Sequence, residues 1–102
     1  MRPRETCGPC SIGLRAAATV ASARSGDLAQ ARLWLADAER LAGMWQGTPW
    51  QAAVWEARAE LRRAEGDEAQ AGALLREAAD LFAERGRPLD EARCRAGIGP
   101  AR

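Results

Sequence analysis

The chain has 102 residues and a formal net charge of +1; all 15 basic residues are Arg, 24 residues are Ala, and Lys, His, Tyr and Asn are absent. No imidazole can act as a base or metal ligand, no lysine can form a Schiff base or serve a P-loop, and no N-glycosylation acceptor exists. Ala, Arg, Leu and Glu dominate over Val, Ile and Thr, a mixture that favours helix because these residues lose least on entering one.

Residues 1–10 read as an N-terminal arm ending in Cys7-Gly8-Pro9-Cys10. Glu5 and Arg15 interrupt what would otherwise resemble an export signal, so the expected setting is a bacterial cytosol. No run approaches the ~20 apolar residues of a membrane span. A first helix is expected at about Ser11–Arg24, with Ile12, Leu14, Ala17, Ala18 and Ala21 as its apolar side. The second opens at Gly26-Asp27, with Asp27 as N-cap and Gln30 as its reciprocal capping partner. It runs to about Gly43 on a stripe of Leu28, Ala31, Leu35, Ala38, Leu41 and Ala42.

The third helix starts at Thr48-Pro49-Trp50-Gln51, an N-cap Thr followed by Pro at the first helical position. It should reach about Glu65 and bury Val54, Ala57, Leu61 and Ala64. The fourth opens at Gly66-Asp67, with Gln70 placed as Gln30 is, and runs to about Arg85. Its stripe is Ala71, Leu74, Leu75, Ala78, Leu81 and Phe82. A fifth begins at Pro88, carries Leu89, Ala92 and Cys94, and stops near Gly97; residues 98–102 should fray.

The chain repeats itself. Gly26-Asp27-Leu28-Ala29-Gln30-Ala31 returns as Gly66-Asp67-Glu68-Ala69-Gln70-Ala71, and eight of the seventeen positions 26–42 are identical at an offset of 40. Such a period marks stacked helical units. The expected fold is all-α: about five helices in antiparallel hairpins stacked as a short solenoid over residues 11–97. Its units are about 11–45 and 48–86, with a partial unit at 88–97. Many inward positions are Ala, so helix axes can approach closely, at the cost of a thin core. Such a chain is expected to be a fragment of a longer solenoid or to self-associate.

The Gly-Asp turn with Ala31 and Ala38, and again with Ala71 and Ala78, resembles the tetratricopeptide repeat and its two small positions in the second helix. Trp55 and Ala59 match an aromatic and a small position of its first helix. The period of 40, Arg62 at the usual second aromatic position, and the missing Pro at the end of the first unit depart from that pattern. Three stretches look like the repeat regions of bacterial, especially actinobacterial, ATP-dependent transcriptional regulators of the MalT and LuxR type. They are Cys7–Ser11, Gly47–Trp50 and Phe82–Cys94. The resemblance covers roughly residues 5–96 and implies repeats that receive protein or ligand signals. It supplies no DNA-binding or ATPase element in this chain.

Cys7-Gly8-Pro9-Cys10 is also the motif of thioredoxin-like redox sites, where a helix N-terminus lowers a thiol pKa. Here Thr6 precedes it and no strand is expected. Cys7, Cys10 and Cys94 could supply three thiolates to zinc, but a structural site takes four ligands. A cap or turn role for these cysteines is the plainer reading. No cofactor is implied.

In a tetratricopeptide-like stack the first helices line the concave face. By that resemblance Ala53, Glu56, Glu60 and Arg63 would face a groove. Their spacing alone puts Glu56, Glu60 and Arg63 on one side, which also suits an ordinary solvated stripe. Trp45 and Trp50 flank the connection between units, where they would pack on helix ends or serve a partner. Arg85, Arg87, Arg93, Arg95 and Arg102, interleaved with Glu84, Asp90 and Glu91, read as a solvated end rather than a phosphate or nucleic-acid site. The expected function is a non-catalytic protein-interaction module, with Glu56, Glu60, Arg63, Trp45 and Trp50 as candidate contacts. The alternatives are a small thiol-redox or zinc module using Cys7 and Cys10, and a truncated remnant with no independent function.

Overall fold

A computed structural model describes residues 8–98, with side chains from Ser11 onward. The described residues form five α-helices and no strand: α1 (Gly8–Arg24), α2 (Leu28–Ala42), α3 (Pro49–Ala64), α4 (Glu68–Glu84) and α5 (Pro88–Gly97). Among them, no helix is long and apolar enough to cross a membrane. α1 is already helical at Gly8, three residues before the expected start.

The turns after α1 and α3 have one construction. At the first, Gly26 N–H donates to Ala23 O (3.2 Å) and Asp27 N–H to Ser22 O (2.9 Å). At the second, Gly66 N–H donates to Arg63 O (3.0 Å) and Asp67 N–H to Arg62 O (2.8 Å). This paired closure needs a left-handed residue, and Gly26 and Gly66 supply it at φ +89° and +94°. The Asp carboxylates then cap the next helix, accepting from Gln30 N–H at 3.2 Å and Gln70 N–H at 3.0 Å.

The reciprocal half of the expected capping box is not made. Each Asp N–H is already bonded to the preceding helix, so Gln30 and Gln70 have no donor to cap and remain exposed. At α3, Thr48 Oγ1 accepts from Gln51 N–H (3.4 Å), while Gln51 Oε1 accepts from Gly47 N–H (2.8 Å). Gly86-Arg87 repeats the backbone closure, with bonds to Ala83 O and Phe82 O. Arg87, however, has no acceptor to offer, and α5 starts without a side-chain cap.

α1 packs along α2 and α3 along α4, while α3 also contacts α1 and α2, and α5 rests on α4. Two apolar cores result. The first joins Ile12, Ala16 and Ala23 of α1 and Ala31, Leu35, Ala38 and Ala42 of α2 to Val54, Ala57 and Leu61 of α3. The second joins Ala52 and Ala59 of α3 and Leu75, Ala78 and Phe82 of α4, among others, to Cys94 of α5. Where α5 meets α4, a Cβ on Gly97 would lie only 3.3 Å from Leu75 Cδ1, so this crossing is close. The Cα radius of gyration, 13.3 Å, is that of a compact chain of about 100 residues.

The buried face of α1 differs from the expected one. Ile12, Ala16, Thr19 and Ala23 point inward, whereas Leu14, Ala17 and Ala21 are exposed. Ala occupies positions 16, 17, 18, 21 and 23, so apolarity barely distinguishes the faces of this helix. Thr19 is tolerated in the core because its hydroxyl donates to Arg15 O at 2.9 Å. Ala64 is also exposed rather than buried, and Leu28 and Leu41 are only half-buried. Ile98, placed in the frayed tail by the sequence, packs against the second core. Residues 99–102 of that tail lie outside the described residues.

Arginines tie the helices together from outside. Arg32 and Arg62 both reach Glu65, at 2.8 and 3.0 Å. The hydrogen bond from Arg32 is the main reason the Glu65 carboxyl is held below its ordinary range. Arg58 of α3 pairs with Glu39 of α2, and Arg85 Nε donates to Gly47 O at 2.6 Å.

Candidate functional site

Helical spacing places Trp50, Ala53, Glu56, Glu60 and Arg63 along one side of α3. Pro49 and the Thr48 cap fix where that helix begins, and so which residues share the side. α1 and α5 flank it. Between the three helices lies a cleft of about 420 Å³ lined by Gly13, Ala16, Ala17, Val20 and Ala21 of α1, Ala53 and Glu56 of α3, and Arg24 and Arg93 at its margins. Its lining is apolar apart from three charged residues, and each of these is paired. Arg93 binds both oxygens of Glu56 at 2.7 and 2.8 Å, and Arg24 reaches Glu60 at 3.2 Å.

The sequence-derived candidates therefore divide. Glu56 lines the main cleft. Trp50 lines an adjoining recess of about 200 Å³ with Pro49, Ala53, Phe82 and Arg87. Glu60 and Arg63 line a third recess with Ala23 and Arg24. Arg63 is also committed to structure, donating to Glu68 at 3.2 Å and to Gly97 O at 2.6 Å, where it holds the end of α5. Trp45 lies off this side of α3. It packs against the first core and supports Trp50, ring centroids 6.4 Å apart and planes inclined at 51°. Trp34 is half-buried.

Sequence reasoning missed Arg93. It sits in the Arg-rich stretch read as a solvated end, yet its guanidinium crosses to α3 and lies 6.0 Å from the Phe82 ring centroid. Its neighbours follow rules visible in the sequence: Arg87 and Arg93 pair with Asp90 at three-residue spacing, and Arg95 with Glu91 at four. The Glu56–Arg93 contact spans 37 residues, and no local pattern announces it. The α1 side of the cleft is hidden in the sequence for another reason: Ala17 and Ala21 read as core residues there, but line the cleft.

Cys94 is fully buried in the second core. Burial pushes its thiol up to about 12, and the Glu56 carboxylate adds to the effect. Such a thiol is a packing group, poorly suited as a nucleophile or a ready zinc ligand. Cys7 and the side chain of Cys10 lie outside the described residues, as does the redox or zinc chemistry assigned to them. Among the described residues, no group of three or more His, Cys, Asp or Glu side chains is arranged to hold a metal ion.

The cleft offers no charge to neutralise and no buried polar atom to satisfy. Its chemistry is burial of apolar side chains within a rim of compensated ion pairs. No known protein family, curated protein or solved structure matches this chain.

Proposed function

We propose that this chain is a non-catalytic protein-interaction module built from tetratricopeptide-like repeats, and that it receives a segment of a partner in the cleft between α1, α3 and α5. The observation carrying this reading is the cleft itself: α1 and α3 put small apolar residues side by side, α5 borders it with Arg93, and the charged residues that line it are paired. An apolar floor with a polar rim is the anatomy of a protein-binding patch. Glu56 and Trp50 serve as edge contacts, while Glu60 and Arg63 act chiefly in joining α3 to α1 and α5. The sequence resemblance favours the same class, the helical repeats of a cytoplasmic bacterial regulator of the MalT and LuxR type, with nucleic-acid binding left to another part of such a protein.

Selection of displayed peptides on the immobilised chain tests the proposal. Enriched peptides should bind the parent and lose at least roughly tenfold in affinity to Ala53→Arg, which fills the cleft floor; circular dichroism would confirm that the variant keeps its helicity. Failure to enrich any peptide, or binding indifferent to Ala53→Arg, would refute it.

A further inference from the structure

The recess of about 200 Å³ beside the main cleft differs from it in chemistry. The apolar lining of the cleft is Gly, Ala and Val. The recess is lined instead by Pro49 and Trp50 of α3 and Phe82 of α4, together with Arg87 and Arg93. Trp50 keeps 36 % of its surface exposed, so its indole is open to a ligand. The two spaces adjoin, since Gly13, Ala53 and Arg93 line both.

The walls of this recess are fixed in advance. The Thr48 cap and Pro49 set the first turn of α3, which carries Trp50. Trp45 braces the Trp50 indole, ring centroids 6.4 Å apart. Arg85 Nε donates to Gly47 O at 2.6 Å and so ties the chain entering α3 to the end of α4, which carries Phe82. Little ordering is left for binding to impose. Charge then selects what fits. Asp90 pairs with Arg87 at 2.9 Å and Arg93 at 2.7 Å, and Glu56 binds Arg93 from the other side of the pair. Two carboxylates balance two guanidinium groups. An incoming Lys or Arg would meet those guanidinium groups, and an incoming carboxylate would have to compete with Asp90 and Glu56. A neutral ring does neither. It also offers a π face to the arginines, as Phe82 already does to Arg93 at 6.0 Å from its ring centroid. Size agrees: a cavity of roughly 150 Å³ holds benzene, so about 200 Å³ has room for a phenyl or phenol ring.

We propose that this recess takes a Phe or Tyr side chain of the partner, while aliphatic side chains of the same segment cover the main cleft. The recess acts in this way only if the cleft receives a partner segment, as proposed above. Trp50 is then the residue that sets specificity, and Arg87 and Arg93 hold the incoming ring by cation–π attraction. One aromatic anchor in a braced pocket, flanked by weaker apolar contacts, is how binding energy is commonly distributed at protein interfaces.

Displayed peptides enriched on the immobilised full chain are the probes. They should share a Phe or Tyr. Replacing that residue of the peptide by Leu should weaken binding to the parent about tenfold, and Trp50→Leu should weaken the aromatic peptide by a similar factor. The Leu peptide should bind Trp50→Leu and the parent to within about twofold, because both changes remove the same contact. Circular dichroism would check the helicity of the variant. A reading on the unaltered chain avoids the variant altogether: a peptide with a diazirine-bearing phenylalanine at the aromatic position should crosslink to Trp50, Phe82 or their neighbours Pro49 and Arg87. Enriched peptides without an aromatic residue, an aromatic-to-Leu loss that persists in full on Trp50→Leu, or crosslinks that map elsewhere would each overturn the proposal. Continued sensitivity of those peptides to Ala53→Arg would leave the cleft as the binding site, whereas failure to enrich any peptide would overturn both.

Discussion

Arg93 of α5 holds Glu56 of α3 in a two-point ion pair, with its nitrogens 2.7 and 2.8 Å from the two carboxylate oxygens. The same guanidinium donates to Asp90 at 2.7 Å. Glu56 is the dominant cause of the rise in the Arg93 pKa, so the arginine stays charged at every accessible pH. The pair forms a latch: it draws the shortest helix against the middle of the molecule and sets one wall of the cleft. Arg93→Met should cost about 1 kcal/mol, since half of the arginine is exposed and solvent screens the pair. Hydrogen exchange should quicken in α5 while α2 is unaffected. A double-mutant cycle with Glu56→Gln would measure the coupling.

Asp27→Ala and Asp67→Ala should each lower stability by about 1 kcal/mol, the usual loss when a helix N-cap acceptor is removed. Gln30→Ala and Gln70→Ala should change little, because neither side chain closes a capping box. Arg87→Asn would give α5 the acceptor it lacks, at the cost of the ion pair to Asp90, and should stabilise by up to ~0.5 kcal/mol. Urea unfolding midpoints would rank all five.

Two glycine substitutions should have opposite signs. Gly66→Ala forces a side chain into the left-handed region and should cost ~1–2 kcal/mol. Gly13 lies inside α1, and a Cβ there meets nothing within 4 Å. Gly13→Ala should therefore stabilise by ~0.5–1 kcal/mol. Thermal unfolding of both variants under one buffer would check the pair.

Alkali should weaken the fold through Cys94. Its thiol rises from an ordinary 9.0 to about 12 in the folded chain, so its contribution is fully present below pH 9 and is lost as pH climbs toward 12. Urea midpoints for the parent should fall between pH 8 and pH 10.5 more than those of Cys94→Ala (pH values about the ordinary thiol range). Near neutral pH, Cys94 should react with a thiol reagent only as fast as α5 opens, which peptide mapping of the labelled chain would show.

The helix boundaries were largely legible because Gly, Asp, Thr and Pro act through local geometry. The Gly-Asp turns and the Thr48-Pro49 start lie where backbone and cap chemistry require them. Facing was less legible where Ala fills both sides. α3 and α4 carry Val, Leu and Phe on their inner faces, which mark those faces in the sequence, whereas α1 offers Ile12 and Leu14 on different sides and a run of Ala between Leu14 and Thr19. Of the cleft, the α3 side followed from spacing. Its closure by Arg93, and the diversion of Glu60 and Arg63 into structural pairs, depend on how α5 and α1 lie against α3.

Among the described residues, eleven of the twenty buried apolar ones are Ala, a side chain with no rotamers to lose. Burying it carries no side-chain entropy cost, which helps a small interior hold together. The same property removes the usual means of adjustment. A larger residue at Ala31, Ala57 or Ala78 would find mostly neighbours that cannot swing aside, and the helices themselves would have to move. The spacing between helices, and with it the width of the cleft, is set by methyl groups in contact.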